Sequence, residues 1–247
     1  FAPGVGGRPC TMRNIFLKLC LFPLTLLFSS LCWLAVGLGD RNSVSHRLEC
    51  LWARLVVWCA GVRVEADLGA LTPGATYVFL ANHQSNLDIP VLFSALAGFN
   101  FRFLAKDSLF RIPVFGPAMA RMGHVAIERE NRRKAMQSIE RAVSLVAGGV
   151  GLLIFPEGTR STDLSTLQEF KTGGMIVALK CRCLVAPLIV VGSGRVLPKG
   201  STRVVPGRIR ITALPPVDAS AYTLKDRDAF KTHMETIMKN AYLEQNR

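Results

Sequence analysis

From Leu19 to Gly39 the chain carries no charged side chain. About 21 such residues, wound as a helix, measure roughly 30 Å, the thickness of a bilayer's hydrocarbon core. The run therefore predicts a helix that enters or spans a membrane. A secretory signal peptide is the rival reading, because Arg13 and Lys18 precede the run and small residues follow it. Pro23 is tolerable near a helix start and a kink elsewhere. After a polar break, GDRNSVSHR, comes LECLWARLVVWCAGV. Its Leu48, Leu51, Trp52, Leu55, Cys59 and Val62 recur at helical spacing, with Glu49 and Arg54 set off that stripe. Trp52 and Trp58 among Arg47, Arg54 and Arg63 suit a headgroup region. Three arrangements fit the pair: a hairpin dipping into one leaflet, a spanning helix followed by an interfacial one, or a second helix that is ordinary core.

Charge narrows the partners. Of 247 residues, 30 are Lys or Arg and 17 Asp or Glu, a net charge of +13 on a chain that is half apolar. A positive mean hydropathy of +0.31 excludes a disordered chain. Nucleic acid and an anionic membrane surface are the two partners such a charge invites. Few aromatics sit among the basic residues and no nucleic-acid motif is present, so nucleic acid is not expected. The seven cysteines show no CxxC spacing, which predicts reduced, buried thiols and no metal site.

The division read from the sequence is a leader or expression scar over 1–11, an N-terminal membrane-associated two-helix segment over 12–65, and an α/β domain over 66–247. In the last, Thr76–Ala81, Phe101–Ala105, His124–Ile127, Gly151–Phe155, Leu184–Val191 and Arg208–Thr212 read as strands. Strict alternation in the last of these suits a strand with one wet face, near an edge. Asn131–Ala147 and Asp226–Leu243 read as amphipathic helices. Strands alternating with helices predict an α/β fold, a mixed and mainly buried sheet flanked by helices.

Two polar clusters follow apolar strands, where such sheets place ligands. In Asn82-His83-Gln84-Ser85-Asn86-Leu87-Asp88, His83 is suited to take a proton near neutral pH, and Asp88 could fix its tautomer if the intervening residues turn into a helix. In Phe155-Pro156-Glu157-Gly158-Thr159-Arg160-Ser161, glycine permits close backbone approach, the hydroxyls can bond an anion, and arginine offers a planar fork matched to phosphate. Lys106 and Arg129 each follow a short strand, so Lys106, Arg129 and Arg160 could converge on one dianionic phosphate.

NHQSNLD, GHVAIER, FPEGTRS and VAPLIVV stand in the order and approximate spacing of the four motifs of the glycerolipid acyltransferases. The chain resembles that family, and within it the bacterial 1-acylglycerol-3-phosphate acyltransferases, over roughly Tyr77 to Val191. The second motif departs from the usual form, with Ala126 and Glu128 where an aromatic and an apolar residue are usual. The resemblance implies a glycerol-3-phosphate acyltransferase-like fold. It implies transfer of an acyl chain from acyl-CoA or acyl carrier protein, a co-substrate and not a cofactor, to the 2-hydroxyl of lysophosphatidic acid, giving phosphatidic acid for phospholipid biosynthesis. His83 would be the general base and Asp88 its partner. Lys106, Arg129, Glu157, Gly158, Thr159 and Arg160 would hold the phosphate region, with Glu157 ordering its loop, while Pro187 and Leu184–Val191 would shape the site or an acyl tunnel. No metal is implied. Because the donors are cytoplasmic, the domain should lie on the cytoplasmic face of a bacterial inner membrane, against anionic lipid. An acyltransferase acting on glycerol 3-phosphate or another lysophospholipid, and a non-enzymatic basic binding protein, are the competing readings.

Overall fold

A computed structural model of the chain describes residues 8–40, 43–127 and 132–247. Its strands are β1 (Val62–Asp67), β2 (Val78–Ala81), β3 (Phe101–Lys106), β4 (Val125–Ile127), β5 (Gly151–Ile154), β6 (Leu184–Val191), β7 (Gly207–Ala213) and β8 (Val217–Asp218). They form one sheet in the order β1-β7-β6-β2-β5-β3-β4, with β8 beside β6. The pairs β1–β7, β6–β2, β2–β5, β5–β3 and β3–β4 are parallel, whereas β6 is antiparallel to β7 and β8. The sheet is thus mixed, with helices on both faces.

The strands of the middle are apolar throughout because both their faces are covered. Phe79, Phe101, Phe103, Leu153, Ala186 and Leu188 face one core, together with helices α2 (Ser43–Ala60) and α3 (Asp88–Ala95). Val78, Leu80, Leu152, Ile154, Val185 and Ile189 face the other. That second core is closed by α5 (Arg132–Ala147), α6 (Thr172–Cys181) and α8 (Arg227–Gln245). Helices α1 (Arg8–Gly37), α4 (Phe115–Arg121) and α7 (Ser193–Val196) complete the chain. The 1–11 segment read as a leader begins outside the described residues, over 1–7.

β7 does alternate, burying Ile209, Ile211 and Ala213 while Arg208 and Arg210 are exposed. It stands one strand in from the edge, however, because β1 takes the edge position. The apolar helix α1 runs through Pro23, and its stretch Asn14–Gly37 is long and apolar enough to cross a membrane. Most of that stretch is uncovered by protein, with Leu19 and Phe22 over two-thirds exposed.

Helix α2 differs from its reading in sequence. It ends at Ala60, where Gly61 takes a positive φ of 66° and releases Val62 into β1. Its buried face carries Ser45, His46, Glu49, Ala53, Val56 and Val57, while Leu51 and Trp58 lie outward. Glu49, which stands off the apolar stripe, is buried. It finds a partner there in His124, whose Nε2 donates to its Oε1, so the buried carboxylate keeps a hydrogen-bond donor.

Candidate active site

In-register parallel strands fix where the two polar clusters leave the sheet. Leu80 of β2 pairs with Ile154 of β5. His83 and Glu157, each three residues further on, therefore emerge side by side. Phe103 of β3 pairs with Leu153, which brings Lys106 out at the same end. Asn82 anchors this end of β2 against β6, its amide donating to the Val190 carbonyl (2.8 Å) and accepting from the Val190 N–H (2.7 Å).

After Ala81 the chain turns and enters α3, and Asp88, at the first turn of that helix, reaches back. Its Oδ2 lies 2.7 Å from His83 Nδ1 and accepts the backbone N–H groups of Gln84 (2.7 Å) and Ser85 (2.8 Å). The carboxylate thus closes the turn it belongs to and fixes the imidazole at once. Asp88 is fully buried, and its Oδ1 has no hydrogen-bond partner among the described residues. With a carboxylate on Nδ1, the hydrogen sits on Nδ1 and the Nε2 lone pair is left to take a proton. Phe155 stacks on the ring, centroids 4.0 Å apart and planes 13° from parallel. That support was not expected from the sequence, although Phe155 opens the FPEGTRS motif.

Glu157 faces protein, not the cavity. It is 1% exposed, and Oε1 accepts the His83 N–H (2.7 Å) while Oε2 accepts the Gln168 N–H (3.1 Å). Burial pushes its carboxyl above the usual range, and those two hydrogen bonds pull against the rise. Ser161 completes the junction by donating its N–H to the His83 carbonyl (2.8 Å). The two loops are therefore cross-linked through the backbone of His83. Gly158 sits in this turn at a φ of 74°, which a side chain would strain. For Glu157→Gln, the amide can still accept from one N–H but presents its own NH₂ to the other. We expect kcat to fall and thermal stability to drop by about 1–3 kcal/mol, the cost of one unsatisfied buried donor. Chemical denaturation alongside initial rates checks both.

Beside His83 opens a cavity of about 420 Å³. Lys106, Gly158, Thr159 and Arg160 line it with His83, so these sequence candidates share one cavity. Arg129 lies outside the described residues. Lys199 donates to the Arg160 carbonyl (2.8 Å) and fastens that loop from the far side. The rest of the lining is mainly apolar and comes from α1 (Phe28, Cys32), α2 (Trp52), α3 (Ile89, Phe93), β3 (Phe103) and α4 (Met119). No residue of Leu184–Val191, expected to shape the site or an acyl tunnel, lines it, and the strand bears on the site through the Asn82–Val190 hydrogen bonds. The reason is topological: β6 lies across β2 from β5 and β3, and the cavity lies on the β3 side. Residues missed in sequence, Glu49 and His124, line it too.

The arrangement supplies a half-buried, oriented imidazole, with two cations and mainly apolar side chains lining the cavity beside it. The chain matches the family described as Acyltransferase over residues 64–191. It is 33% identical over 182 residues to the 1-acyl-sn-glycerol-3-phosphate acyltransferase LPAT1, chloroplastic, of Arabidopsis thaliana, covering 73% of this chain and 50% of that protein. A 1-acyl-sn-glycerol-3-phosphate acyltransferase of Chlamydomonas reinhardtii is 40% identical over 186 residues, 71% of this chain and 54% of its own. The protein of that name from Helicobacter pylori is 30% identical over 175 residues, 71% of each chain. The chain thus spans about half the length of the plant and algal relatives. In fold it is similar to the crystal structure of the 1-acyl-sn-glycerophosphate (LPA) acyltransferase, PlsC, from Thermotoga maritima, with a TM-score of 0.81 over 95% of both chains at 21% identity.

Proposed function

This chain belongs to the acyltransferase family, and from that premise we propose that it acylates the 2-hydroxyl of 1-acylglycerol 3-phosphate, using an acyl thioester as donor. The observation that carries the reading is the His83–Asp88 pair beside a mainly apolar cavity whose lining includes Lys106, Thr159 and Arg160. The names of the relatives point to the same acceptor.

In the proposed reaction His83 Nε2 takes the proton of the acceptor hydroxyl as its oxygen attacks the thioester carbonyl. A tetrahedral intermediate forms, then collapses with cleavage of the C–S bond. The imidazolium returns the proton to the departing thiolate, so no acyl-enzyme is needed. Asp88 holds the ring and stabilises its transient charge. A thioester is already activated, so base catalysis and positioning suffice for much of the rate. Lys106 and Arg160 would bind the acceptor phosphate, the arginine by a planar fork and the lysine as a point charge. The uncovered face of α1 would seat the protein on an anionic membrane, where the acceptor resides, with the active site toward the cytoplasm and its thioesters.

The test is an acyl-transfer assay with an acceptor panel of lysophosphatidic acid, glycerol 3-phosphate and other lysophospholipids against acyl-CoA and acyl carrier protein donors. Product from lysophosphatidic acid above all others supports the reading, and preference for glycerol 3-phosphate would replace it. Within the same assay, Arg160→Ala and Lys106→Ala should each raise the KM for the acceptor about tenfold, equivalent to about 1.4 kcal/mol, with a smaller change in kcat. An unchanged acceptor KM would take that role from the residue concerned.

A further inference from the structure

The two loops of the site are joined a second time, by a side chain of the last helix. Tyr242, on α8, is 1% exposed. Its hydroxyl accepts the side-chain amide of Gln84 (2.5 Å) and donates to the Leu164 carbonyl (2.8 Å). A phenol has one proton, so giving it to a carbonyl leaves only lone pairs for Gln84, and the glutamine must turn its NH₂ toward them. Burial pushes the Tyr242 phenol up, which keeps that proton in place. Gln84 directly follows the proposed base, and its backbone N–H is one of the donors that hold Asp88 Oδ2 (2.7 Å). Leu164 belongs to the other loop, four residues past Arg160. One phenolic oxygen therefore spans from the turn that carries His83 to the loop that carries Thr159 and Arg160.

The bridge is braced on its far side. Asn246 Nδ2 donates to the same Leu164 carbonyl (2.7 Å), and Asn246 Oδ1 accepts from Arg195 of α7 (3.0 Å). A Cβ on Gly194, also in α7, would collide with the Leu164 side chain and press on Gln84, so the loops are close-packed near the point where the hydroxyl joins them. A buried hydrogen bond adds little net stability, because its partners would otherwise bond water. What a directional bridge fixes is distance. In a reaction between held groups, a misplacement of about 1 Å can cost about a hundredfold in rate.

We infer that Tyr242 is a positioning residue for acyl transfer: through Gln84 and Leu164 its hydroxyl sets the His83 imidazole against the loop of Thr159 and Arg160. The role rests on the acyl-transfer reading above, in which one acceptor molecule must meet both loops at once. Tyr242 itself touches no reacting atom.

The test uses the full-length protein with lysophosphatidic acid and an acyl-CoA donor, at a temperature well below every melt. Tyr242→Phe fills the same space and leaves Asn246 on the Leu164 carbonyl, but deprives the Gln84 amide of its acceptor. Its kcat should fall about ten- to a hundredfold, with the acceptor KM changed by less than about threefold. Adding Gln84→Met removes the unpaired amide, so the melting temperature should recover while kcat stays low, because the bridge is still missing. Recovery of kcat together with the melt, or wild-type kcat in Tyr242→Phe, would overturn the inference and leave the hydroxyl a purely structural part. A second readout needs no turnover. The low-field proton resonance of His83 Nδ1–H, identified by its loss in His83→Ala, should shift or broaden in Tyr242→Phe. The His124 ring accepts the Phe103 N–H on Nδ1 and donates from Nε2 to Glu49, and its resonance should stay where it is, as an internal control. An unmoved His83 resonance would overturn the inference as well. A wild type that acylates no acceptor would remove the acyl-transfer reading, and the resonance would still decide whether Tyr242 holds the imidazole.

Discussion

Replacing His83 by alanine is expected to lower kcat for acyl transfer by about 10²- to 10⁴-fold, the contribution of a well-placed general base. The KM for lysophosphatidic acid should change little, since the proposed phosphate contacts come from Lys106 and Arg160. The fold should survive for a reason specific to this site. The hydrogen bond that joins the two active-site loops is made by the His83 backbone N–H to Glu157, and the His83 carbonyl still accepts from Ser161. Alanine keeps both. Asp88 also keeps two of its three donors, the N–H groups of Gln84 and Ser85. The side-chain loss is confined to one hydrogen bond and the stack on Phe155. Steady-state rates and a thermal melt on the same preparation separate chemistry from stability. A fully active alanine variant would remove His83 from the reaction and the mechanism with it.

That the His83–Asp88 pair could be named in advance follows from how local its geometry is. His83 and Asp88 meet across a single turn, and the FPEGTRS loop leaves the neighbouring strand at the same level through a register set by apolar residues on both strands. Both facts lie within short windows of sequence. The Glu49–His124 pair does not: its partners are 75 residues apart, on a helix and at the start of a strand. Periodicity marked the apolar stripe there but not the packed face: α2 buries Ser45, His46 and Glu49 and leaves Leu51 and Trp58 outward, as the membrane-associated arrangements read from the sequence allow. A stripe of apolar residues marks a core only when protein covers it, and on a segment beside the uncovered face of α1 the assumption fails.

The fold shows the same division. The central strands were legible because they are apolar on both faces. β1, with the sequence VRVEAD, carries charge on an edge strand, and its partner β7 lies some 145 residues later, beyond any local pattern. The same strand explains why alternation in β7 pointed to the edge: one face of β7 is wet although both its backbone edges are paired. Helix α6 escaped notice because it begins Thr172-Gly173-Gly174 and buries Met175, Val177, Ala178 and Leu179 without a clear amphipathic period.

The geometry around Asp88 makes a second large effect separable into its parts. Asparagine can place its carbonyl oxygen where Oδ2 now stands and accept the same three donors. Its NH₂ would then occupy the position of Oδ1, which has no hydrogen-bond partner among the described residues. Asp88→Asn should therefore fold much as the wild type does, with at most the cost of one buried amide left unpaired, about 1–3 kcal/mol. What it removes is the negative charge that stabilises the imidazolium as the proton arrives, and we expect kcat to fall by about 10²- to 10⁴-fold. Asp88→Ala should lose that charge and the turn together. The N–H groups of Gln84 and Ser85 would be left without their acceptor inside the protein, so its stability should drop by several kcal/mol, on the order of two unsatisfied buried donors. The decisive comparison is between the two variants: near-equal loss of rate with clearly different unfolding midpoints assigns Asp88 both an electrostatic and a structural role. An asparagine variant with near-native kcat would leave the carboxylate only the structural one.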